Sequence, residues 1–398
     1  MKSIITRIRL EPGFKKTRDA ITISVALGGL GISQVLKGVI VAAFPFFLPL
    51  FFTLQFIGST TQGFISDIIK RSTVFNISLC VITITTALLS VVYDSQLPAK
   101  GFIQYFCIIV VALAGNADVV GRAEIIDLRY SADRKSIMSW AVFTEAFSWV
   151  IIGMLIRYLQ LDPVNILFII SPVAVCLLAI SLEFNSDKTK DKHHWERVKS
   201  ALRPTFKGRL KNLILAYSTI LVGELAYFFF FYNQINPLEK KTVMLADSYL
   251  SWFIGMSLGC IVVGKIKKVN DYQYIIIGLF VSFISVILFI ISGMKSIATP
   301  GAFGYDSLIF GLAGFGSGIY LPCFYSMISK GHSVHVQGFL MGTIDSLRVL
   351  GDAITNAILL FSVFLAGHFQ IYTSGFLFIF STILLIFYRK RSRSLEKS

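Results

Sequence analysis

Residues 338–358 read GFLMGTIDSLRVLGDAITNAI and place three charges inside a run otherwise apolar enough to cross a bilayer. Asp345, Arg348 and Asp352 are spaced by three and four residues, so a helix presents them on one face, with Asn356 one turn further along. An ionised group near the bilayer centre costs about 2.5–3.5 kcal/mol, so this face cannot contact lipid. The pattern predicts that one acid neutralises Arg348 while the other, desolvated, carries a proton; the alternative is that the triad only holds two helices together.

The composition is typical of a protein that crosses a membrane many times. Of the 398 residues, 55% are hydrophobic and 15% are charged, whereas soluble proteins carry about 25% charged residues. The net charge of +15 comes mainly from basic residues in short segments between apolar runs, as the positive-inside rule requires, so no nucleic-acid partner is predicted. The five cysteines lie in apolar runs without metal-ligand spacing, so no disulfide framework, metal site or cofactor is predicted.

The apolar runs predict an all-α polytopic membrane protein with 12 transmembrane helices. Each run reaches the length of about 20 residues that a bilayer requires. The expected spans are 20–44, 46–67, 73–93, 101–126, 136–158, 163–184, 212–235, 246–264, 273–293, 305–329, 336–360 and 371–388.

The longest polar segment, 185–211, divides these spans into six and six. We therefore expect two six-helix bundles, 20–184 and 212–388, between an amino-terminal segment 1–19 and a tail 389–398. Nine Lys and Arg lie in 185–211 and six in 1–19, so these segments and both termini are predicted to be cytoplasmic. The membrane is expected to be a cell membrane, inner or plasma.

The segment GFISDIIKRS, which begins at Gly63, follows the second predicted span. It resembles the loop 2–3 signature of the major facilitator superfamily, Gly-x-x-x-Asp-Arg-x-x-Arg-Arg. Gly63, Asp67 and the basic pair Lys70 and Arg71 carry the resemblance, although Ile68 stands where the family usually has Arg. The resemblance implies two pseudo-symmetric bundles that rock about a site at the membrane midplane.

The resemblance also implies a cytoplasmic latch at Asp67. Its carboxylate would lie against the start of the eleventh span, near residues 336–340, where helix-end N–H groups favour an anion. The alternative is an ordinary charged loop. The second half contains a degenerate copy, GCIVVGKIKK from Gly259, which lacks the aspartate and supports two homologous halves.

The fourth span carries a further group of charges. Asp118 and Arg122 have the i, i+4 spacing that allows an ion pair along one helix. Glu124, Asp127 and Arg134 resemble the acid-to-arginine relay that facilitator proteins have at the cytoplasmic ends of spans four and five. These three residues are predicted to be gate or interface residues rather than substrate ligands.

Three more ionisable residues lie at membrane depth in other spans: Lys37, Glu145 and Glu224. The resemblance implies that spans one, four, seven and ten line the cavity, which makes Lys37 and Glu224 cavity candidates. Lys37 could instead extend its ammonium towards the outer surface. The candidate residues for binding substrate or protons are Lys37, Asp118, Arg122, Glu145, Glu224, Asp345, Arg348, Asp352 and Asn356.

Four glycines fall in the tenth span, at positions 311, 314, 316 and 318. Small residues allow helices to approach closely. Together with Pro322 they predict either a bend in this helix or static close packing.

The sequence as a whole predicts a monomeric secondary transporter of a small polar or charged solute, working by alternating access with protons as the coupling ion, and no enzymatic activity. The fifth span lacks the repeated Gly-Pro pattern of drug-expelling antiporters, which favours import; efflux antiport is the alternative. Asp352 is expected to carry the proton because it lies deeper than Asp345 along its helix. A transporter-like receptor and a lipid-modifying membrane enzyme remain as rival classes.

Overall fold

A computed structural model describes residues 12–44, 47–93, 95–96, 98–128, 134–184, 196, 200, 215–220, 223–224, 238–266, 269–291, 305–330, 332, 334–361, 375–377 and 379–387. Within these residues the regular structure is helical. The helices are α1 Pro12–Ala43, α2 Leu48–Ile68, α3 Arg71–Tyr93, α4 Lys100–Ala114, α5 Ala117–Leu128, α6 Arg134–Arg157, α7 Pro163–Phe184, α8 Leu238–Lys265, α9 Asp271–Ile291, α10 Tyr305–Lys330 and α11 Gln337–Phe361. Residues 215–220, 375–377 and 379–387 are also helical, and a 3₁₀ turn, Val334–Val336, precedes α11.

Seven helical stretches among the described residues, with α4 and α5 counted together as one, are long and apolar enough to cross a membrane. Many of their apolar side chains point outward, with Phe102 and Ile291 both more than 70% exposed. Such a surface would be unstable in water and is stable in lipid, because lipid accepts apolar side chains on every outer face.

Two helices extend beyond the predicted spans that they contain, and one predicted span is interrupted. Helix α1 begins at Pro12, whereas its part that is apolar enough to cross a membrane begins at Asp19, because hydropathy marks the apolar part of a helix and not its polar extension. The fourth span is two helices, α4 and α5, separated at Gly115 and Asn116. There Asn116 Nδ2 donates to the Ala112 carbonyl at 3.0 Å, which satisfies a backbone group that the break exposes. Helix α8 begins at Leu238 rather than at residue 246.

Along the chain the described helices form two groups, α1–α7 and α8–α11. In the first group α1 lies against α5, α6 and α7, and α3 lies against α7. In the second group α10 lies between α8 and α9. One apolar core lies wholly within the first group, and another combines residues from both groups, so the groups share a buried interface.

Four pairs of described helices join the groups: α2 and α5 pack on α11, and α6 packs on α8 and α10. The α2–α11 contact is so close that a Cβ atom on Gly63 would lie 2.3 Å from the Gly338 carbonyl oxygen. In the other contact Ser139 donates to the Cys260 carbonyl, and Lys135 Nζ donates to the Val269 carbonyl at 2.5 Å. We call the end of the molecule that contains these contacts the closed end.

Candidate functional site

Four charged side chains form a closed ring between the two groups of helices. Arg122 Nη2 lies 2.6 Å from Glu145 Oε2, and Arg122 Nη1 lies 3.2 Å from Asp345 Oδ1. Arg348 pairs with Glu145 through Nη1 and lies 3.5 Å from Asp345 Oδ1 through Nη2. We call these four residues the charge ring; each cation touches both acids, and each acid touches both cations.

The charge ring draws two members from each group of helices. Arg122 on α5 and Glu145 on α6 belong to the first group, and Asp345 and Arg348 belong to α11. Asp345 lies eight residues into α11, about 12 Å along the axis at 1.5 Å per residue, so the ring lies well inside the helix and away from its start. The arrangement is electrically neutral, as a buried cluster of four ions must be to avoid a large desolvation cost.

Neutral neighbours hold two ring members in place. Ser59 Oγ on α2 donates to Asp345 Oδ2 at 3.0 Å. The Arg122 guanidinium lies 5.2 Å from the centre of the Tyr325 ring on α10, a cation–π distance. The Tyr325 hydroxyl lies 3.4 Å from the Tyr217 hydroxyl. The ring is therefore supported by α2 and α10 as well as by the helices that supply its charges.

A second buried ion pair lies within the first group, between Lys37 on α1 and Asp118 on α5. Lys37 Nζ donates to Asp118 Oδ2 at 2.8 Å, and their side chains are 6% and 0% exposed. Ser33 Oγ and Gln34 Nε2 also donate to the same carboxylate, at 3.2 and 2.9 Å. Trp149 Nε1 donates to Gln34 Oε1 at 3.3 Å, which ties the cluster to α6.

At the closed end the Asp67 carboxylate meets the first residues of α11. The backbone N–H groups of Gly338 and Phe339 donate to Asp67 Oδ1 and Oδ2 at 2.9 and 2.7 Å. Arg71 lies 2.6 Å from Asp67 Oδ1 and also pairs with Asp127. An anion at the start of a helix satisfies N–H groups that lack partners within the helix. The position is the one that the sequence motif implies.

The start of α6 supplies two cations to the closed end. Arg134 Nη1 donates to the Ser329 carbonyl at 2.7 Å, across to α10. Lys135 Nζ lies 4.8 Å from the centre of the Tyr274 ring on α9 and donates to the Val269 carbonyl, just beyond α8. Both cations therefore reach from the first group of helices into the second.

A comparison with protein families shows which family this chain belongs to. The family model of the Major Facilitator Superfamily matches residues 20–356, most of the chain. The chain belongs to the major facilitator superfamily. The predicted fold class, an all-α membrane protein of two six-helix bundles, is confirmed, and the protein is a membrane transporter rather than an enzyme.

Solved facilitator structures share the fold. The transporter FucP in the outward conformation is 12% identical, covers 93% of this chain and 99% of its own chain, and has a TM-score of 0.64. A bacterial homologue of the iron transporter ferroportin in an outward-facing state is 14% identical, covers 94% and 99%, and also has a TM-score of 0.64. A single-residue variant of the E. coli fucose:proton symporter FucP covers 93% and 98% at 12% identity, with the same TM-score of 0.64. No curated protein matches the sequence significantly.

Two expectations about the ion pairs of this facilitator need correction. Asp118 does not take Arg122 as its partner: Arg122 reaches across to α6 and α11, where two carboxylates bind it, and Lys37 binds Asp118. Lys37 does not extend to the surface, because that ion pair keeps its side chain 6% exposed.

The remaining predicted residues are not members of the charge ring, or their side chains lie outside the part of the chain that the structure describes. Glu224 accepts a hydrogen bond from Ser317 Oγ on α10, and Ser317 lies 3.4 Å from the Tyr320 hydroxyl. The side chains of Asp352 and Asn356 lie outside the described ones, so the predicted proton carrier stays a prediction. The Lys70 carbonyl accepts from the Thr73 and Val74 N–H groups and so begins α3, and Glu124 is half-buried in α5.

Several contacts around the candidate site were not predicted. Ser59 and Tyr325 are neutral, and nothing in their local sequence distinguishes them from packing residues. Lys135 could have been found, because a basic pair at the start of a helix opposes the helix dipole and calls for partners elsewhere.

Proposed function

We propose that the protein is a proton-coupled importer of a small polar or charged solute that works by alternating access as a monomer. The charge ring carries this proposal. Two of its four links, Arg122 to Asp345 and Glu145 to Arg348, cross between the halves, and the other two stay within one half. Separation of the halves would break the crossing links and leave a neutral pair in each half, so the site can open without exposing a lone buried charge to hydrocarbon.

We assign residues 20–184 and 212–388 to the moving halves and residues 185–211 to a cytoplasmic connector. The closed end would then be the cytoplasmic end, with both termini on that side, in an inner or plasma membrane. The Asp67 contact with α11 would act as a latch that holds this end shut. These assignments rest on the distribution of Lys and Arg along the chain.

Flux across a sealed membrane tests the proposal directly. The purified protein would first be screened by thermal shift against amino acids, sugars, nucleosides and organic acids, and the stabilising solute would then be tested in proteoliposomes. We expect uptake that an inward proton gradient accelerates and that vesicles without protein lack. Specific binding without flux would instead identify a transporter-like receptor.

Labelling from outside the cell tests the orientation. A cysteine at Ser186, in a variant without native cysteines, should resist a membrane-impermeant maleimide in intact cells and react after the cells are lysed. Labelling in intact cells would reverse the assigned topology, while leaving the flux result untouched.

A further inference from the structure

The charge ring offers an approaching solute a cation rather than an acid. The Arg348 side chain is 20% exposed, whereas those of Arg122, Glu145 and Asp345 are 0%, 4% and 0% exposed. A guanidinium at this depth cannot face hydrocarbon, so its exposed part faces the space between the halves. Guanidinium groups bind carboxylates through short, charge-assisted hydrogen bonds. A solute that reaches this site therefore meets a group suited to an anion.

The balance of charge in the ring sets a further condition. The two arginines and two acids sum to zero, so a bound monoanion would leave a net negative charge in a desolvated place. One added proton restores neutrality. A neutral solute would need no proton, and a cationic solute would have to reach carboxylates that are at most 4% exposed.

We propose that the solute is a small monoanion of the monocarboxylate class, which binds Arg348 in place of Glu145 and enters with one proton that binds Glu145. The proton comes from the water on the side that delivers the solute, and both leave on the other side. This proposal rests on the proposed transport function and adds the substrate class and the residue that takes the proton, for which it names Glu145 in place of Asp352.

Glu145 is the acid whose partners make this exchange possible. Among the described side chains, the charged or titratable groups that face Glu145 are Arg122 on α5, Arg348 on α11, Tyr325 on α10 and Cys260 on α8. An arginine does not lose its proton in a protein, so the carboxylate takes up the added one. Once protonated, Glu145 keeps a hydrogen-bonding position beside Arg122 while the solute carboxylate takes over Arg348.

Asp345 is less suited to this exchange. It is fully buried and accepts from Ser59 in addition to its contacts with both arginines. Its link to Arg348 lies within α11, whereas the link from Glu145 to Arg348 joins the halves. When the solute replaces Glu145 at Arg348, a link between the halves is lost. This loss alters the relative stability of the two transport states, as a coupled solute must do.

A thermal-shift experiment on the purified full-length protein tests the substrate class. The probes are pools of small monocarboxylates, from acetate to benzoate, and pools of the corresponding primary amides and primary amines. We expect a carboxylate pool to raise the melting temperature and its amide pool to leave it unchanged. Stabilisation by amides or amines alone, or by none of the pools, would overturn the proposal.

Variants of Arg348 show whether the binding is at the ring. Arg348→Gln should weaken carboxylate binding by about tenfold or more, because a charge-assisted hydrogen bond is lost, and Arg348→Lys should retain part of the affinity. Arg197→Gln, which removes the same charge from the connecting segment, should leave the affinity unchanged. Undiminished binding in Arg348→Gln would place the anion elsewhere and overturn the assignment.

Glu145→Gln separates anion binding from proton coupling. The substitution leaves the ring with one excess positive charge, so we expect the carboxylate found above to bind more tightly and with no dependence on pH across the neutral range. Uptake by the native protein should follow a pH gradient and ignore a potassium-diffusion potential, whereas Glu145→Gln should exchange solute without responding to the pH gradient. Gradient-driven uptake in Glu145→Gln would overturn the role of Glu145, and flux of only neutral or cationic solutes would overturn the substrate class while leaving the transport function intact.

Discussion

The closed end contains two contacts between the halves, α2 with α11 and α6 with α8 and α10, which we call joints. The two joints use side chains of opposite charge to bind backbone groups of the other half. In the α2–α11 joint, the Asp67 carboxylate accepts from N–H groups at the start of a helix in the other half. In the joint of α6 with α8 and α10, Arg134 and Lys135 donate to carbonyls near the ends of helices in the other half, at Ser329 and Val269. Asp67 thus satisfies N–H groups at the start of α11, and Arg134 binds a carbonyl in the last turn of α10, whereas Lys135 binds a carbonyl between α8 and α9.

The difference explains how the second copy of the loop motif can lack its aspartate. Val263 stands four residues after Gly259, where Asp67 stands four residues after Gly63, and it is buried without exposure to solvent. The cations come instead from the start of α6, where they oppose the dipole of their own helix and gain favourable contacts with carbonyls of the partner half. Backbone groups buried at the closed end need hydrogen-bond partners. An anion can accept from their N–H groups, and a cation can donate to their carbonyls.

The largest expected difference between the joints concerns their backbone separation. In Gly63→Ala the new Cβ would lie 2.3 Å from the Gly338 carbonyl oxygen, a backbone atom that cannot move without shifting α11. In Gly264→Ala the nearest atom is the Ser139 hydroxyl oxygen at 3.3 Å, which can rotate. We expect Gly63→Ala to lower the closed population about tenfold or more and Gly264→Ala to leave it nearly unchanged.

Distances between spin labels at positions 69 and 266 measure this population. Ile69 and Ile266 lie at the closed end in different halves and are both 48% exposed, so labels there should not disturb the packing. Pulsed electron paramagnetic resonance in a cysteine-free background would report the fraction of separated halves. Equal fractions in Gly63→Ala and Gly264→Ala would mean that the two joints do not differ as described.

The next difference concerns the hydrogen bonds themselves. Asp67→Asn removes a charge that two N–H groups and Arg71 share, and it should destabilise the closed state by about 1.5–3 kcal/mol. Ser139→Ala removes one neutral hydrogen bond to the Cys260 carbonyl and should cost about 0.5–1.5 kcal/mol. The same label pair measures both variants. A larger effect from Ser139→Ala would reverse the ranking of the joints.

The smallest effect is expected from Lys135→Met, which keeps the length of the side chain and removes its charge. Lys135 is buried, so methionine loses the hydrogen bond to Val269 and the contact with the Tyr274 ring but also removes the cost of desolvating a charge, which leaves a net loss of about 1 kcal/mol. Lys135→Arg, which restores the charge, is the matched control. Because the joints lie on separate helix pairs, Asp67→Asn and Lys135→Met should act additively, and strong coupling would show that they form one unit.

The sequence predicts best what depends on one continuous segment. The protein-facing stripe of Asp345 and Arg348 follows from helical spacing, whereas the carboxylate at the start of α11 was expected only because the motif around Gly63 resembles that of a known family. The partners of these charges do not follow, because spacing allows Asp118 to bind Arg122, whereas the folded chain offers Arg122 two carboxylates from distant helices. The break between α4 and α5 was missed because hydropathy is averaged over a long window, in which Gly115 and Asn116 have little weight.

The contact between α8 and α10 limits which sequences this protein can accept. Added Cβ atoms on Gly255, Gly314 and Gly318 would lie 1.9, 2.0 and 2.0 Å from backbone carbonyl oxygens of the facing helix. At lipid-facing positions one apolar residue can replace another, but at these three positions even alanine is too large. Saturation mutagenesis should therefore find a short line of positions that tolerate a single amino acid, within a protein whose outer surface tolerates many. Random variation would inactivate the transporter most often along this line.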